Sequence, residues 1–568
     1  MHRLRVAAAQ LDLVVGDLEG NAARVLAAYE QAERAGCDLV AFPELAVTGY
    51  PPEDLLLRPA FVAQAREWLD KIAARTGATA AVVGFPERDG ALYNSAAVLA
   101  HGAVRGIYRK HLLPNYAVFD EQRYFEPWPG DGPLFRIGGA RVAVTVCEDA
   151  WSPSGPILTQ AAAGAELVVN VNASPYYAGR LHEREAMLGG RARDAGVPIL
   201  YVNLVGGQDE LVFDGASLLV DETGTVVARA RQFAEDLLVV DLALHPEPVP
   251  PTAARAAIAE ETLVEIEVVP TREHGGAATP RVEDPLAPVH EVYEALVLGT
   301  RDYVRKNGFA DVLVGLSGGI DSSLVAAVAV DALGPDHVVG VLMPSRDSSD
   351  HSVTDAIALA ENLGIRTATI PIEPAHHAFL DMLAESFAGL EPGLAEENLQ
   401  ARIRGTILMT MSNKFGWMVL TTANKSETAT GYSTLYGDMA GGYAVIKDVE
   451  KTLVYALCRD RNVRAGRALI PESAIDKPPS AELRPGQLDR DSLPDYAELD
   501  PIIEGYVEHD RSIADLVAEG HDPETVRRVT RLIDLNEYKR RQAAPGVRVS
   551  PKAFGKDRRL PITNRWPG

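Results

Sequence analysis

Three residues in the first half of the chain are of the types that together open an amide bond. Cys147 closes the apolar run Arg141-Val-Ala-Val-Thr-Val146 and precedes Glu148-Asp149-Ala-Trp151, where a buried strand would emerge into a loop. Glu44 follows Leu39-Val-Ala-Phe-Pro43 in the same manner, and Lys110 lies within Tyr108-Arg-Lys-His-Leu-Leu-Pro114. A thiolate attacks an amide carbonyl, a carboxylate takes the thiol proton and hands it to the departing ammonia, and an ammonium steadies the oxyanion. Taken singly, each has a plainer explanation: a small core hydrophobe, a loop cap and a solvated charge. The chemistry needs all three.

The second half carries a different device. Ser317-Gly-Gly-Ile-Asp-Ser322 stands between the strand-like Asp311-Val-Leu-Val-Gly-Leu316 and a helix through Ser323-Leu-Val-Ala-Ala-Val-Ala329. Glycines let backbone approach an anion, and N–H groups and hydroxyls at a helix start bind it, so the segment reads as a phosphate cradle. It lacks the Gly-Lys-Ser/Thr of a Walker loop, which excludes the P-loop ATPase reading.

These residues need strands to end where they stand. Up to about Leu244, short apolar runs such as Ala80-Ala-Val-Val-Gly84, Val142-Ala-Val-Thr-Val146 and Leu167-Val-Val-Asn-Val171 alternate with helical stretches, the pattern of a layered α/β domain. His245-Pro-Glu-Pro-Val-Pro-Pro251 and Glu273-His-Gly-Gly-Ala-Ala-Thr-Pro280 mark an extended connector. Beyond it, an amphipathic helix from Val289 to Lys306 and strand-like runs at 311–316, 338–343 and 418–422 predict a doubly wound parallel sheet. The expected division is 1–245, a linker over 246–286, and 287–568.

The chain of 568 residues is long enough for two full cores, and its 47% apolar and 24% charged content is that of a globular protein. A formal net charge of −24 would repel a phosphate backbone, which disfavours nucleic acid as a partner. Cys37, Cys147 and Cys458 form no disulfide framework and no zinc spacing, as suits a reducing compartment. The N-terminal apolar run is too short for a signal peptide and no run reaches membrane-spanning length, so the expected location is the cytoplasm.

Phe42-Pro-Glu-Leu45, Tyr108-Arg-Lys-His-Leu-Leu-Pro114 and Val146-Cys-Glu-Asp149, in that order, resemble the carbon–nitrogen hydrolase (nitrilase) superfamily over most of residues 1–245. The resemblance implies an αββα sandwich with a Glu44-Lys110-Cys147 triad and Glu121 as an auxiliary glutamate. It also implies glutamine-binding positions at Tyr116, Ser174 and Arg180; lysine is frequent at the last of these in the family, and arginine still supplies a fork for the α-carboxylate.

Ser317-Gly-Gly-Ile-Asp-Ser322 resembles the pyrophosphate loop of ATP-dependent adenylating enzymes, a class that also includes amidotransferases for other acceptors and enzymes that thiolate tRNA. Thr421-Thr-Ala-Asn-Lys-Ser-Glu427, Gly431-Tyr-Ser-Thr-Leu-Tyr-Gly-Asp438 and Asn536-Glu-Tyr-Lys-Arg-Arg-Gln542 narrow this, because they resemble the NAD⁺ synthetase family over most of 287–568. That resemblance implies an adenine nucleotide alpha hydrolase-like sheet. It places ATP at Gly315, Leu316, Ser317, Gly318, Gly319, Ile320, Asp321, Ser322, Thr422 and Lys451, and deamido-NAD⁺ at Asn398, Glu427 and Lys539. Mg²⁺ is implied at Asp321 and Glu427, with Ser480 on a loop closing over the nucleotide. Related enzymes carry ammonia through an internal tunnel, often within a homo-oligomer.

Overall fold

The computed structural model describes residues 2–244, 263–272, 274 and 276–566. The chain divides into two compact units, Met1–Gln208 with Val212–Leu286, and Asp209–Leu211 with Ala287–Gly568.

In the first unit the strands β1 (His2–Gln10), β2 (Leu39–Ala41), β3 (Ala80–Asp89), β4 (Ala91–Ala100) and β5 (Ala103–Arg109) precede a second set. That set is β6 (Leu134–Ile137), β7 (Ala140–Val146), β8 (Leu167–Val171) and β9 (Ile199–Val202). The short β10 (Val205–Gln208) and β11 (Leu211–Asp214), then β12 (Leu218–Val220), β13 (Val226–Arg229), β14 (Asp236–Leu244) and β15 (Glu265–Val269), complete it. One sheet runs β14-β1-β2-β3-β4-β5 and the other β13-β12-β9-β8-β7-β6-β15. Alternate residues Leu4, Val6 and Ala8 of β1 meet Val142 and Val144 of β7 and Leu167 and Val169 of β8 in the core between the sheets. The helices Pro156–Ala162 and Arg180–Ala195 cover the outside of the second sheet through Ile157, Leu188 and Ala192. Leu18–Arg34 and Pro59–Ala73 pack on the first. The layering is αββα, as expected.

This layering explains why β2, β7 and β8 read as mainly apolar runs and not as alternating ones, since both their faces are covered. β2 is parallel to β1 and β3, and β7 to β8, so Glu44, Cys147 and Asn172 all follow the carboxyl ends of buried parallel strands.

Part of the proline- and glycine-marked connector, 245–262, lies outside the described residues. The part that follows adds β15 alongside β6 in parallel. Its Ala278 amide also donates to Asp241 (2.8 Å), which accepts from Arg5 Nε (2.7 Å) and Arg3 (3.2 Å) as well. Burial would raise the Asp241 carboxyl, but the Arg5 guanidinium and the Ala278 amide reverse this and hold it down to about 2. A depressed carboxylate stabilises the fold above its unfolded value of about 3.9, and the contribution is lost as pH falls through the folded value. Asp241→Asn is therefore expected to be less stable than wild type at pH 7. The gap should close between about pH 4 and pH 2, as read by urea unfolding across that series; a gap independent of pH would exclude this origin.

The second unit holds β16 (Val312–Gly315), β17 (Val338–Leu342), β18 (Arg366–Thr369), β19 (Met418–Thr421) and β20 (Tyr443–Ala444) in the order β18-β17-β16-β19-β20. All pairings are parallel. Strand order reverses at β16, the switch point where open α/β sheets bind ligands. The helix Ile320–Leu333 that leaves it is buried on nearly every side, which accounts for its lack of a polar stripe. No described helix is long and apolar enough to cross a membrane.

Candidate active sites

In the first unit Cys147 begins a short turn, Cys147–Ala150, directly after β7, with its backbone in the left-handed region (φ 44°). A non-glycine residue there is strained, and the surroundings hold it. Much of the holding falls to Asp149, a fully buried carboxylate. It accepts from Val146 N (3.0 Å), Tyr108 Oη (2.9 Å), His111 N (3.1 Å) and Leu112 N (2.9 Å). One side chain thus ties the turn bearing Cys147 to the segment bearing Lys110.

Lys110 follows β5, and its Nζ lies 2.7 Å from both Glu44 Oε1 and Glu121 Oε2. Glu44 also accepts from Asn94 Nδ2 (2.7 Å) and the Ala173 amide (3.1 Å), and Tyr50 Oη donates to Glu121 (3.0 Å). Burial opposes the lysine charge, but Glu121 and then Glu44 overcome it and hold the ammonium well above its ordinary value. Burial lifts the Glu121 carboxyl to about 7 against the pull of Lys110. Burial, and next the Glu44 carboxylate, push the Cys147 thiol well above its usual value while Lys110 draws it down. The resting sulfur is therefore a neutral thiol that needs a base at the moment of attack.

Tyr116 is exposed and donates to Glu148 Oε2 (2.9 Å), the residue after the cysteine. Ser174 is buried with its Oγ unpartnered, its amide held by Asn203 (2.9 Å). Arg180 lies 4.0 Å over the Trp151 ring and donates to Tyr177 Oη (2.8 Å) and Glu183 (2.9 Å). Glu148 makes no ion pair among the described residues, and the more distant Lys110 charge is the cation that acts on this half-buried carboxylate beside the nucleophile.

In the second unit the loop after β16 folds onto itself. Ser317 Oγ and Ser322 Oγ are 3.0 Å apart, and Ser322 Oγ donates to the Gly319 carbonyl (3.0 Å). Gly318 has φ 75°, and a Cβ there would lie 2.0 Å from the Ser352 carbonyl oxygen, so only glycine fits. Gly315, Leu316, Ser317, Gly319, Ile320, Asp321, Ser322, Thr422, Glu427 and Lys451 line one cavity of about 300 Å³. Asp321 accepts from Asn424 Nδ2 (3.0 Å) and from Lys451 Nζ, which also lies 3.7 Å from Glu427 Oε1. Burial and the neighbouring Asp321 charge lift the Glu427 carboxyl to about 8. Burial opposes the Lys451 charge, yet Asp321 and Glu427 raise it. Ser480 lines the cavity too, its Oγ donating to the Gln487 carbonyl (2.5 Å).

Not every expected residue reaches this cavity. Asn398 accepts from Thr434 Oγ1 (2.8 Å), and Lys539 Nζ donates to the carbonyls of Gly431 (2.7 Å) and Ser433 (2.9 Å); neither lines the space around the loop. Lys539 instead braces the segment that presents Tyr432 and Ser433 to it. Asn94, Asp149, Asn424 and Arg404 also stand at these sites, beyond the expected residues. Asn424 alone carried a usable mark, as the asparagine of an Asn-x-x-Glu helix start whose side chain caps Glu427 N (2.9 Å).

A nitrilase-like sandwich joined to a pyrophosphate-loop sheet defines a two-part ligase of the amide-transferring class. The carbon-nitrogen hydrolase family matches residues 5–246 and the NAD synthase family residues 292–543. The chain is 49% identical to a glutamine-dependent NAD(+) synthetase of Thermotoga maritima over 100% of its own length and 99% of the relative's. It belongs to the glutamine-dependent NAD⁺ synthetase family. A second relative of that description, from Xylella fastidiosa, is 48% identical over 100% of this chain and 99% of its own. The solved glutamine-dependent NAD⁺ synthetase of Acinetobacter baumannii, in complex with ADP, superposes with a TM-score of 0.75 at 39% identity, covering 99% of each chain.

Proposed function

We propose that the chain makes NAD⁺ from deamido-NAD⁺, ATP and glutamine, residues 1–245 acting as the glutaminase, 246–286 as linker and 287–568 as the synthetase. The observation that carries the reading is the presence of two complete sites in one chain, the Glu44-Lys110 pair with Cys147 and the Ser317–Ser322 loop with Asp321, Glu427 and Lys451.

In the first site Glu44 takes the Cys147 proton as sulfur attacks the glutamine amide carbon, and Lys110 stabilises the oxyanion. Glu44 returns the proton to nitrogen, ammonia leaves, and a thioester remains. Water activated by Glu44 then opens the thioester to glutamate. Tyr116, Ser174 and Arg180 surround the amino acid, with Arg180 suited to the α-carboxylate. Glu148 is suited to the α-ammonium, since it is a half-buried carboxylate beside Cys147 that makes no ion pair among the described residues. Glu148→Gln is expected to raise KM for glutamine by about 10-fold or more with a smaller change in kcat. Equal loss in KM and kcat would remove it from substrate binding.

In the second site ATP lies over Gly315–Ser322 with Thr422 and Lys451, and deamido-NAD⁺ meets Glu427, with Asn398 and Lys539 holding the segment at 431–434 beside it. The nicotinate carboxylate attacks the α-phosphate and releases pyrophosphate, giving an acyl-adenylate from which ammonia displaces AMP. Asp321 and Glu427 suit Mg²⁺: they are two hard oxygen donors facing one cavity, and burial together with the Asp321 charge opposes ionisation of Glu427, a cost that a divalent cation relieves. Bound there, the ion neutralises phosphate charge. The reading includes a homo-oligomer, for which the exposed Phe379 and Met382 of the helix Glu373–Leu383 offer apolar surface. The same reading places the chain in the cytoplasm. Product analysis with deamido-NAD⁺, ATP and glutamine tests the reading; failure to form NAD⁺, AMP and glutamate together would refute it.

A further inference from the structure

Three basic side chains line the nucleotide cavity among the described residues, Lys451, Lys477 and Arg404. Lys451 is held by Asp321 and Glu427, and Lys477 lies 2.5 Å from Glu482. Arg404 differs from both, for no described carboxylate stands within ion-pair distance of it. Its Nε donates to the Met343 carbonyl (3.1 Å), and its two terminal nitrogens make no hydrogen bond among the described residues.

The helix Leu394–Phe415 explains where this side chain stands. It packs on β16 and β19, and Leu408, one turn beyond Arg404, lies 3.5 Å from where a Cβ on Gly315 would be. Residues four apart share a helix face, so Arg404 and Leu408 face the same way. The Met343 carbonyl just beyond β17 orients the guanidinium. Arg404 thus stands over the carboxyl ends of β16 and β17, where the Ser317–Ser322 loop begins.

A half-buried guanidinium without a counter-ion is costly. Burial draws down its ionisation, and Glu482 and Asp347, too distant to pair, only partly oppose the effect. A ligand anion would remove that cost without first breaking a salt bridge, which is not true at Lys451 or Lys477. The planar fork also matches two phosphate oxygens at once, a geometry that an ammonium cannot reproduce.

We infer that Arg404 binds a phosphate group of the adenine nucleotide through the two terminal nitrogens of its guanidinium. The assignment rests on the nucleotide site proposed above and adds a residue to it. The test uses the full-length protein, measuring inhibition by ADP and by adenosine against ATP in ammonium-driven synthesis, for wild type, Arg404→Gln and Arg404→Lys. Arg404→Gln is expected to raise the inhibition constant of ADP by about 10-fold or more while that of adenosine moves less than about 2-fold. Arg404→Lys should recover part of the loss. Unchanged ADP inhibition, or adenosine weakened as much as ADP, overturns the inference, the latter outcome assigning the side chain to the base. Glutaminase activity and thermal melting report whether the variants are folded. Wild type that ADP does not inhibit would instead sink the nucleotide site itself.

Discussion

Cys147→Ala is expected to lose glutamine-driven NAD⁺ formation by about 10⁴-fold or more, the scale on which removing a covalent nucleophile acts. Synthesis from added ammonium salt should stay within about 2-fold of wild type, because no atom of the adenylating step depends on the thiol. The sulfur alone can form the thioester, and no neighbouring group can replace it. Glu44 is engaged by Lys110, Asn94 and Ala173, and Lys110 by two carboxylates, so neither is a free nucleophile. The alanine also removes the residue whose ionisation burial and Glu44 oppose, so the site loses no charge and should keep its fold. Parallel assays with glutamine and with ammonium decide the matter: loss of both activities in a folded protein would refute the division of labour. Near neutral pH most ammonia is protonated and cannot attack an acyl-adenylate, which is the chemical reason for a glutaminase in the same chain.

The catalytic strands were legible because their chemistry sits at their ends. β2 and β7 are short apolar runs that stop at Glu44 and Cys147, and a run covered on both faces announces itself without periodicity. The Ser317–Ser322 loop was legible for a similar reason, since Gly318 cannot be anything else against Ser352. Residues that act through tertiary contact left no such trace. Asp149 lies two positions after the nucleophile, yet its function is to receive donors from the segment near residue 110, a meeting created by sheet packing. Asn94 sits mid-strand, and the β4–β5 pairing brings it beside Lys110 while the β2–β3 and β3–β4 pairings bring it beside Glu44. Arg404 is one of two arginines on an ordinary helix, and what marks it is the lack of a counter-ion among the described residues, a property that no sequence displays. The Asn398 and Lys539 positions show the converse: matching a motif named them, while the fold directs both toward the loop at 431–434.

Asp321→Asn should abolish synthesis from glutamine and from ammonium alike, by about 10³-fold or more, while glutaminase turnover stays within a few-fold of wild type. The substitution keeps the size of the side chain, so the outcome reports charge. Asp321 opens the helix Ile320–Leu333, and its two oxygens meet different partners, Asn424 Nδ2 (3.0 Å) and the Lys451 ammonium. The amide can still accept once, but its NH₂ group would face a donor at the other position, so Lys451 would turn to Glu427. That change leaves one carboxylate where a divalent ion needs two, and binds more tightly to protein a lysine directed at phosphate. The adenylating step should therefore fail before amide formation. Exchange of labelled pyrophosphate into ATP, which requires adenylation but no ammonia, should fall together with synthesis. Exchange persisting at the wild-type rate would place Asp321 after adenylation and would remove it from the phosphate and metal site.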